Sequence, residues 1–307
     1  MGTTILGMGR YYPQSKTEFS SGTRYRIAEK SETQLQMGVK AAQDALYASK
    51  TAISEIDLII SACAVIIQPI PCNAALFHAE LGASAKTAAL DVCTTCTSFI
   101  SALDTSDCYI KAGRYKKILI ISSDLPSIAL NPEETESFSL FSDGAAAAVV
   151  GEGNGEIIKS AQYTFSYGAH LTEIACGGTA APAFEYNEHD INDYRFTMDG
   201  IAVVRAVLKN LPDISREFLA SANTDMAGID MIIPHQASHA LELIMKKCKI
   251  KKEKYLDIFK EYGNMVSASV PFSLSYTLDN GIVKKGDNVL LVGTAAGLHI
   301  NLLLLTL

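Results

Sequence analysis

The sequence lacks tryptophan, an excess of basic residues and any long apolar run. Its apolar stretches are short and interrupted by polar residues, which excludes a membrane-spanning helix of about 20 residues. Of its 307 residues, 33 are Asp or Glu and 26 are Lys or Arg, giving a net charge of −7. This acidic balance argues against a nucleic-acid-binding protein. The amino-terminal stretch MGTTILGMGRYYP shows no basic region or cleavage pattern of a secretory signal, so we expect a cytoplasmic protein.

Cysteine is present but does not form the pattern of a disulfide framework. Seven cysteines occur, at positions 63, 72, 93, 96, 108, 176 and 248. The number is odd, and most of them lie in apolar surroundings, where a free thiol behaves as a small hydrophobic group. This usage favours a reducing compartment.

The stretch DVCTTCTSF places Cys93 and Cys96 close together. A structural zinc site needs four ligands, but no second CxxC occurs and His235 and His239 lie far downstream, so we expect no metal. A thioredoxin-like redox motif belongs in a small βαβ unit, whereas this chain is much larger. The remaining interpretations are two core cysteines, or a nucleophile beside a cysteine that only packs.

Apolar segments of two kinds alternate along the chain. KKILIISSDL and AAAAVVGEG have the composition of strands, while SETQLQMGVKAAQDALYASK has apolar residues at helical spacing. Strands that alternate with helices predict an α/β fold with buried sheets. A chain of this length with 48% hydrophobic residues can form a large core.

The pattern also repeats. EIDLIISACA contains Asp57 and resembles GIDMIIPHQA, which contains Asp230, 173 residues later. KKILIISS near residue 116 resembles GDNVLLVGTA near residue 286, at about the same offset. We therefore predict two similar halves, 1–165 and 166–307, with a site between them built from both.

Cys96 is the better candidate for a nucleophile. It follows an apolar strand and lies where a helical pattern begins, and the free amides of a helix start stabilise a thiolate and lower its pKa. Two partners are available in the second half: His235 directly after an apolar strand and Asn264 in a Gly-Asn turn. Alone, His235 could be a structural histidine and the Gly-Asn pair only a turn signal. Together, a cysteine, a histidine and an asparagine at strand ends indicate a catalytic site.

Motifs around these three residues resemble the thiolase superfamily, specifically the β-ketoacyl-acyl carrier protein synthase III family. TTCTSFISAL resembles the nucleophile motif, PHQAS the histidine motif and YGNMVSASVP the asparagine motif. FSDGAAAAVV and GDNVLLVGTAAG match further strands and turns in the same order, so the similarity covers nearly the whole chain. The resemblance implies a thiolase-like, five-layered αβαβα fold that is internally duplicated and forms a homodimer.

The resemblance also implies a reaction. An acyl group moves from a thioester of coenzyme A or acyl carrier protein to Cys96. A malonyl group on acyl carrier protein then loses carbon dioxide and attacks it, as in fatty-acid or polyketide-like biosynthesis. His235 and Asn264 would stabilise the enolate, and the backbone amides of Cys96 and Ala296 would form a second oxyanion hole. Ile70 would line the acyl pocket of the partner subunit, and no metal or cofactor is required.

The sequence departs from the family pattern at the coenzyme A contacts. In the family, a tryptophan and an arginine of a longer N-terminal insert clamp the adenine. Here segment 16–30 is short, with Arg24 or Arg26 as a possible remnant. No arginine follows the histidine motif in HQASHALEL, and the acidic PEETESFSL precedes FSDGA where an arginine is expected. The glycine run of the oxyanion turn becomes Ala295-Ala296-Gly297, which should narrow the pocket. These losses predict a carrier-bound acyl donor in preference to coenzyme A.

A basic stretch, KKCKIKKEKY, begins eleven residues after His235 and carries Lys246, Lys247, Lys249, Lys251, Lys252 and Lys254. One interpretation is a solvated helix end, where cations are favourable. The other is a docking site for an acidic carrier protein, with Lys246, Lys247 and Lys251 as contacts, since opposite charges speed association.

Other functions remain open on the same fold. An acyltransferase would pass the acyl group from Cys96 to an alcohol or amine without decarboxylation, although Asn264 argues mildly against it. A hydroxymethylglutaryl-type synthase is less favoured, because no convincing glutamate base lies near the cysteine motif. A non-catalytic partner of a heterodimer would not need all three residues.

Overall fold

The computed structural model describes residues 2–27, 32–179 and 181–307. Residues 28–30 of the short N-terminal segment, and Ser31 of the expected first helix, lie outside the described residues. Strands in the described ranges are β1 (Gly2–Tyr11), β2 (Lys16–Phe19), β3 (Gly22–Tyr25), β4 (Leu58–Ser61), β5 (Ala88–Asp91), β6 (Lys117–Asp124), β7 (Gly144–Gly153), β8 (Glu156–Thr164), β9 (Thr172–Glu173), β10 (Thr197–Met198), β11 (Met231–Pro234), β12 (Asn288–Ala295) and β13 (His299–Thr306). The α-helices there are α1 (Gln34–Ser49), α2 (Asn73–Glu80), α3 (Ser98–Lys111), α4 (Thr135–Phe138), α5 (Gly200–Ser221), α6 (Leu241–Lys247), α7 (Phe259–Tyr262) and α8 (Ser269–Asp279).

Two sheets with the same topology form the centre of the fold. The first has the strand order β1-β7-β6-β4-β5, and the second has the order β8-β13-β12-β11. In both, a parallel pair (β4 with β6, β11 with β12) is followed by two antiparallel pairs. A parallel bridge from Ile232 to Tyr255 occupies the place that β5 has in the first sheet. The internal duplication predicted from the sequence is therefore confirmed.

The repeated aspartates make the same contacts in both halves. The Asp57 carboxylate accepts hydrogen bonds from the Lys116 and Lys117 amides, at 2.7 and 3.0 Å, where β6 begins. The Asp230 carboxylate accepts one from the Asn288 amide, at 2.8 Å, where β12 begins. Each aspartate thus fixes the start of the neighbouring strand. The division at residue 165 stays a prediction, and β8, which precedes that boundary, pairs with the second sheet.

Helices cover both faces of each sheet, which gives five layers. α1 and α2 pack on the outer face of the first sheet, α3 and α8 lie between the sheets, and α5 and α6 cover the outer face of the second. β6 is buried along nearly its whole length because it lies between two helical layers. The predicted αβαβα arrangement is confirmed. Among the described helices, none has both the length and the apolar character needed to span a bilayer.

The local sequence explains how α1 begins. The Thr33 hydroxyl accepts the Gln36 amide at 3.2 Å, while the Gln36 side chain accepts the Thr33 amide at 2.9 Å. This reciprocal pair is a capping box, which satisfies amides that have no partner within the helix. Met37, Ala41 and Ala45 recur every four residues and are fully buried against the first sheet. The helix therefore begins three residues later than the start of the segment predicted from periodicity.

Candidate active site

Cys96 lies in a single 3-10 turn, Thr95–Thr97, between β5 and α3. Thr95 has a φ of +51°, in the left-handed region that β-branched residues rarely adopt. Side-chain hydrogen bonds hold the turn: the Thr95 hydroxyl donates to the Ala296 carbonyl at 3.1 Å, and the Thr97 hydroxyl to the Thr94 carbonyl at 2.8 Å. The turn fixes Cys96 immediately before the helix, opposite the loop that follows β12.

Several groups act on the thiol of Cys96. Burial and the nearby Asp124 raise the pKa of Cys96 to about 12, although hydrogen bonds from the backbone amides of Ala296 and Cys96 itself favour the thiolate. The expectation that the helix start lowers this pKa is wrong for the free protein. Burial outweighs the amides, and α3 begins only at Ser98. The cysteine is therefore a protonated thiol at neutral pH, beside two amides that can stabilise negative charge once it forms.

His235 directly follows β11, and its amide donates to the Val292 carbonyl at 2.8 Å. It is 6% exposed, and burial lowers its pKa to about 4, so the ring is neutral at pH 7. Its Nδ1 has no hydrogen-bond partner among the described residues. The tautomer protonated at Nε2 can donate a hydrogen bond to a substrate oxygen. Gln236 fixes the loop, because its side chain donates to the Leu256 carbonyl at 3.2 Å and accepts the Ile258 amide at 2.9 Å.

Asn264 is held by its backbone and its side chain. Its amide donates to the Leu140 carbonyl and its carbonyl accepts the Ser142 amide, both at 2.9 Å. Its side-chain oxygen accepts the Val266 amide at 2.9 Å, and Nδ2 donates to the Ala237 carbonyl at 3.3 Å. This arrangement fixes which end of the amide is the nitrogen. One N–H of Nδ2 remains for a ligand.

The Asn264 turn is the second-half counterpart of the Cys96 turn. A 3-10 turn (Val266–Ala268) precedes α8 just as the Cys96 turn precedes α3. Val266 has a φ of +52°, close to the +51° of Thr95. The two turns contact each other, and β12 contacts the Cys96 turn. Because Asn264 also bonds to Ala237, two residues after His235, the fold brings the three predicted residues to one place between the sheets.

Asp124, at the carboxyl end of β6, was not predicted as a site residue. Its fully buried carboxylate accepts the Ala64 and Val65 amides, at 3.0 and 3.2 Å, and the Ser267 amide at 2.9 Å, as well as the Ser267 hydroxyl. It thus joins a loop of the first half to the turn after Asn264. Burial raises the pKa of Asp124 to about 7, against the opposing effect of these hydrogen bonds. The available signal was an acidic residue at the end of the apolar strand KILIISSD.

Other predicted residues lie outside this centre. Cys93 is exposed, and its thiol donates to the Ala64 carbonyl at 3.6 Å. Ile70 is 84% exposed. Lys246, Lys247 and Lys251 are exposed at and after the end of α6. The roles of all these residues, and of Cys96, His235, Asn264 and Ala296, stay predictions.

Comparison with known proteins identifies the family. Its model, 3-oxoacyl-[acyl-carrier-protein] synthase III, matches residues 90–166, and the corresponding C-terminal model matches residues 219–307. The chain is 37% identical over 277 residues to the β-ketoacyl-[acyl-carrier-protein] synthase III of Syntrophomonas wolfei, covering 89% of this chain and 82% of that protein. It is 30% identical over 317 residues to the Aquifex aeolicus protein of the same name, covering 97% of each. The chain belongs to the β-ketoacyl-[acyl-carrier-protein] synthase III family.

Two solved structures agree with this assignment. The Aquifex aeolicus enzyme superposes with a TM-score of 0.89 at 28% identity, covering 100% of both chains. The priming β-ketosynthase of the R1128 polyketide pathway superposes with a TM-score of 0.88 at 25% identity, covering 100% of this chain and 96% of the other. The thiolase-like fold and the condensing-enzyme function predicted from the sequence are confirmed.

Two arginines considered as remnants of the synthase III adenine clamp serve the fold instead. Arg24 is fully buried; its guanidinium donates to the Ser139 carbonyl at 2.7 Å and to the Phe259 carbonyl at 3.2 Å. Arg26 lies over the Phe138 ring, 4.3 Å from its centroid, and donates to the Phe138 and Phe141 carbonyls. Neither guanidinium is free to stack on a nucleotide.

Proposed function

We propose that the chain transfers an acyl group to Cys96 and condenses it, with loss of carbon dioxide, with a malonyl thioester on acyl carrier protein. The observation that carries this proposal is the pairing of two sets of hydrogen-bond donors around one thiol. The amides of Cys96 and Ala296 contact the sulfur, and neutral His235 and Asn264 lie on the loops beside it. Two donor sets suit two successive oxyanions.

The first step is a thioester exchange. The Cys96 sulfur attacks the carbonyl carbon of the donor thioester, and the carbon–sulfur bond of the donor breaks. Because Cys96 is protonated in the free protein, its proton leaves as the new bond forms, and the departing thiolate ends as a thiol. The amides of Cys96 and Ala296 would stabilise the oxyanion of the tetrahedral intermediate.

The second step forms a carbon–carbon bond. The carbon–carboxylate bond of the malonyl group breaks and releases carbon dioxide, and the electron pair passes into an enolate at the thioester oxygen. A neutral imidazole and an amide suit this oxygen, because each can donate a hydrogen bond to it. Neither carries a positive charge that would pair with the malonyl carboxylate instead. The enolate carbon then attacks the acyl carbonyl, and the Cys96 sulfur leaves and regains a proton.

The surface beside His235 is suited to binding an acidic carrier protein that delivers the substrate. α6 begins six residues after His235, and its Leu241 and Met245 line a pocket that reaches that histidine. Lys246, Lys247 and Lys251, which we call the lysine patch, are exposed at the end of this helix and make no ion pair in the described part of the chain. On a protein of net charge −7, such a patch is suited to a negatively charged partner. Arg24 and Arg26 are both engaged within the fold and not free to clamp a nucleotide, which supports a carrier-bound acyl donor.

The homodimer is part of the proposal. Val65, Ile66 and Ile70, in the loop after β4, are 46, 55 and 84% exposed, which is unusual for a group of large apolar residues. The neighbouring β5 is the edge strand of the first sheet. A second copy on this surface would cover both features and allow Ile70 to enter the partner's acyl pocket. The cytoplasmic location also stays a prediction.

Separating the two half-reactions tests the proposal. His235→Ala and Asn264→Ala should still accept an acyl group from a thioester donor, because neither side chain contacts the Cys96 sulfur in the proposed first step. Condensation with malonyl-carrier protein should fall by about 10²–10³, the usual cost of one oxyanion donor. The exposed His170→Ala and Asn280→Ala serve as matched controls and should behave as the wild type. Near wild-type condensation by both site variants would contradict the proposal and favour transfer to an alcohol or amine.

A further inference from the structure

Three side chains suited to a metal ion meet in the segment between β9 and β10, whose described residues form two 3-10 helices and no α-helix. Cys176 Sγ, a ring nitrogen of His189 and a carboxylate oxygen of Asp193 all lie within 4.8 Å of one another. The spacing is Cys-x12-His-x3-Asp. The condensation reaction gives none of these residues a role.

The backbone of the segment holds the three donors in place. The Cys176 amide donates to the Asp193 carbonyl at 3.0 Å, which sets the two ends of the segment side by side. The Asp190 carboxylate accepts the Asn192 amide at 2.8 Å, and the Asp193 amide donates to the Asp190 carbonyl at 3.0 Å. These bonds form a tight turn that presents His189 and Asp193 to the same side. Donors fixed in this way need little rearrangement when a cation binds.

We propose that Cys176, His189 and Asp193 bind Zn²⁺, with water as the fourth ligand. A thiolate, an imidazole and a carboxylate are the ligands that Zn²⁺ takes in tetrahedral sites, whereas Mg²⁺ and Ca²⁺ prefer oxygen alone. The Tyr194 hydroxyl is buried without a hydrogen-bond partner among the described residues, and its ring centroid lies 6.3 Å from that of His189. It is available to a metal-bound water. The cluster is separate from the CxxC of Cys93 and Cys96, for which the sequence predicts no metal.

The bound ion would brace one wall of the candidate active site. Phe196, three residues after Asp193, packs edge-on against Phe141 with the ring centroids 4.9 Å apart. Phe141 is bridged to Asn264 and shares an apolar cluster with Val266. A cation that binds only the folded segment stabilises it by mass action. The ion takes no part in the proposed condensation, and its connection to that reaction runs through the support of Asn264.

Zinc content is the direct test. Untagged protein carrying Cys96→Ala, which removes the active-site thiol as a competing ligand, is loaded with Zn²⁺, desalted and analysed by elemental mass spectrometry. We expect about one zinc per chain, and at least about tenfold weaker binding after Cys176→Ser, His189→Gln or Asp193→Asn. Cys248→Ser and His170→Gln are the matched controls, since each removes the same chemical group outside the cluster. Co²⁺ in place of Zn²⁺ should give a sulfur-to-metal charge-transfer band that Cys176→Ser abolishes.

The outcomes divide clearly. The site is supported if zinc is retained by the parent protein, which carries only Cys96→Ala, and by both controls, but is lost from the three cluster variants. Absence of zinc from the parent, or equal retention by the cluster variants, overturns it. Limited proteolysis supplies a readout independent of activity: Zn²⁺ should protect the segment 174–196 from cleavage in the parent and not in Cys176→Ser. Equal cleavage with and without Zn²⁺ in the parent would contradict the proposed bracing.

Discussion

Gly263 offers a sharp test of how the Asn264 turn is held. It has φ +71° and ψ −166°, in a region essentially restricted to glycine. A Cβ atom added there would lie 2.5 Å from Arg24 Cδ and 2.8 Å from Ser142 Oγ. Arg24 cannot retreat, because it is fully buried and its guanidinium is hydrogen-bonded to surrounding carbonyl groups. Gly263→Ala should therefore move the backbone that carries Asn264.

The expected magnitude follows from two costs. Placing alanine in this backbone region costs about 1–3 kcal/mol, and overpacking against buried atoms adds about 1–3 kcal/mol. The sum, about 2–6 kcal/mol, should lower the thermal midpoint by about 3–9 °C, because unfolding entropy is roughly 2.1 cal/mol/K for each of the 307 residues. Displacing the Asn264 amide should also reduce condensation by about 10²–10³, while acylation of Cys96 changes only a few-fold.

Differential scanning fluorimetry measures the midpoint, and intact mass spectrometry separates acylation from condensation. Gly200→Ala is the matched control, since its Cβ would meet no atom closer than 3.4 Å and its φ is not positive. A thermal midpoint within about 1 °C of the wild type, together with wild-type condensation, would refute the proposed rigidity of the Asn264 turn.

Three further predictions concern Cys96, His235 and the lysine patch. Gly293→Ala would place a Cβ 2.4 Å from Thr97 Cγ2, so it should slow acylation more than decarboxylation, as single-turnover assays can show. Because burial lowers the pKa of His235 from 6.5 to about 4, the unfolded chain takes up a proton first as the pH falls. Between pH 6.5 and 4 the free energy of unfolding of the wild type should therefore fall by about 3 kcal/mol more than that of His235→Gln, as denaturant titrations can measure. The titration of Asp124 affects both proteins equally and cancels in this comparison. Changing the lysine patch to Glu should slow the carrier reaction sharply at low salt and little at high salt, whereas the same change at the exposed Lys86, Lys284 and Lys285 should have no such effect.

The candidate site residues and the family could be named from the sequence because both depend on short motifs; the family is confirmed, and the roles of the residues stay predictions. PHQAS, the Gly-Asn turn and the cysteine turn occur in the same order as the corresponding motifs of the family. The apolar periodicity around them predicts the alternation of strands and helices. The duplication was also visible, since Asp57 and Asp230 start equivalent strands. Local patterns were sufficient for these features.

Features that depend on distant contacts could not be predicted. The role of Asp124 requires Ala64, Val65 and Ser267 to meet, although Ser267 lies 143 residues from Asp124 in the chain. The raised pKa of Cys96 results from burial and a carboxylate brought close by folding, which the helix-start rule does not include. The second-sheet position of β8 depends on its pairing with β13, at the other end of the chain.

The central claim is that Cys96 carries the acyl group, and peptide-level mass spectrometry tests it most directly. Protein is incubated with an acyl thioester without malonyl-carrier protein, digested and mapped. The wild type and Cys93→Ser should gain one acyl mass on the peptide that contains Cys96, and Cys96→Ser should gain none, because only this sulfur meets the amides of Cys96 and Ala296. Acylation confined to Cys93, or retained in Cys96→Ser, would contradict the account.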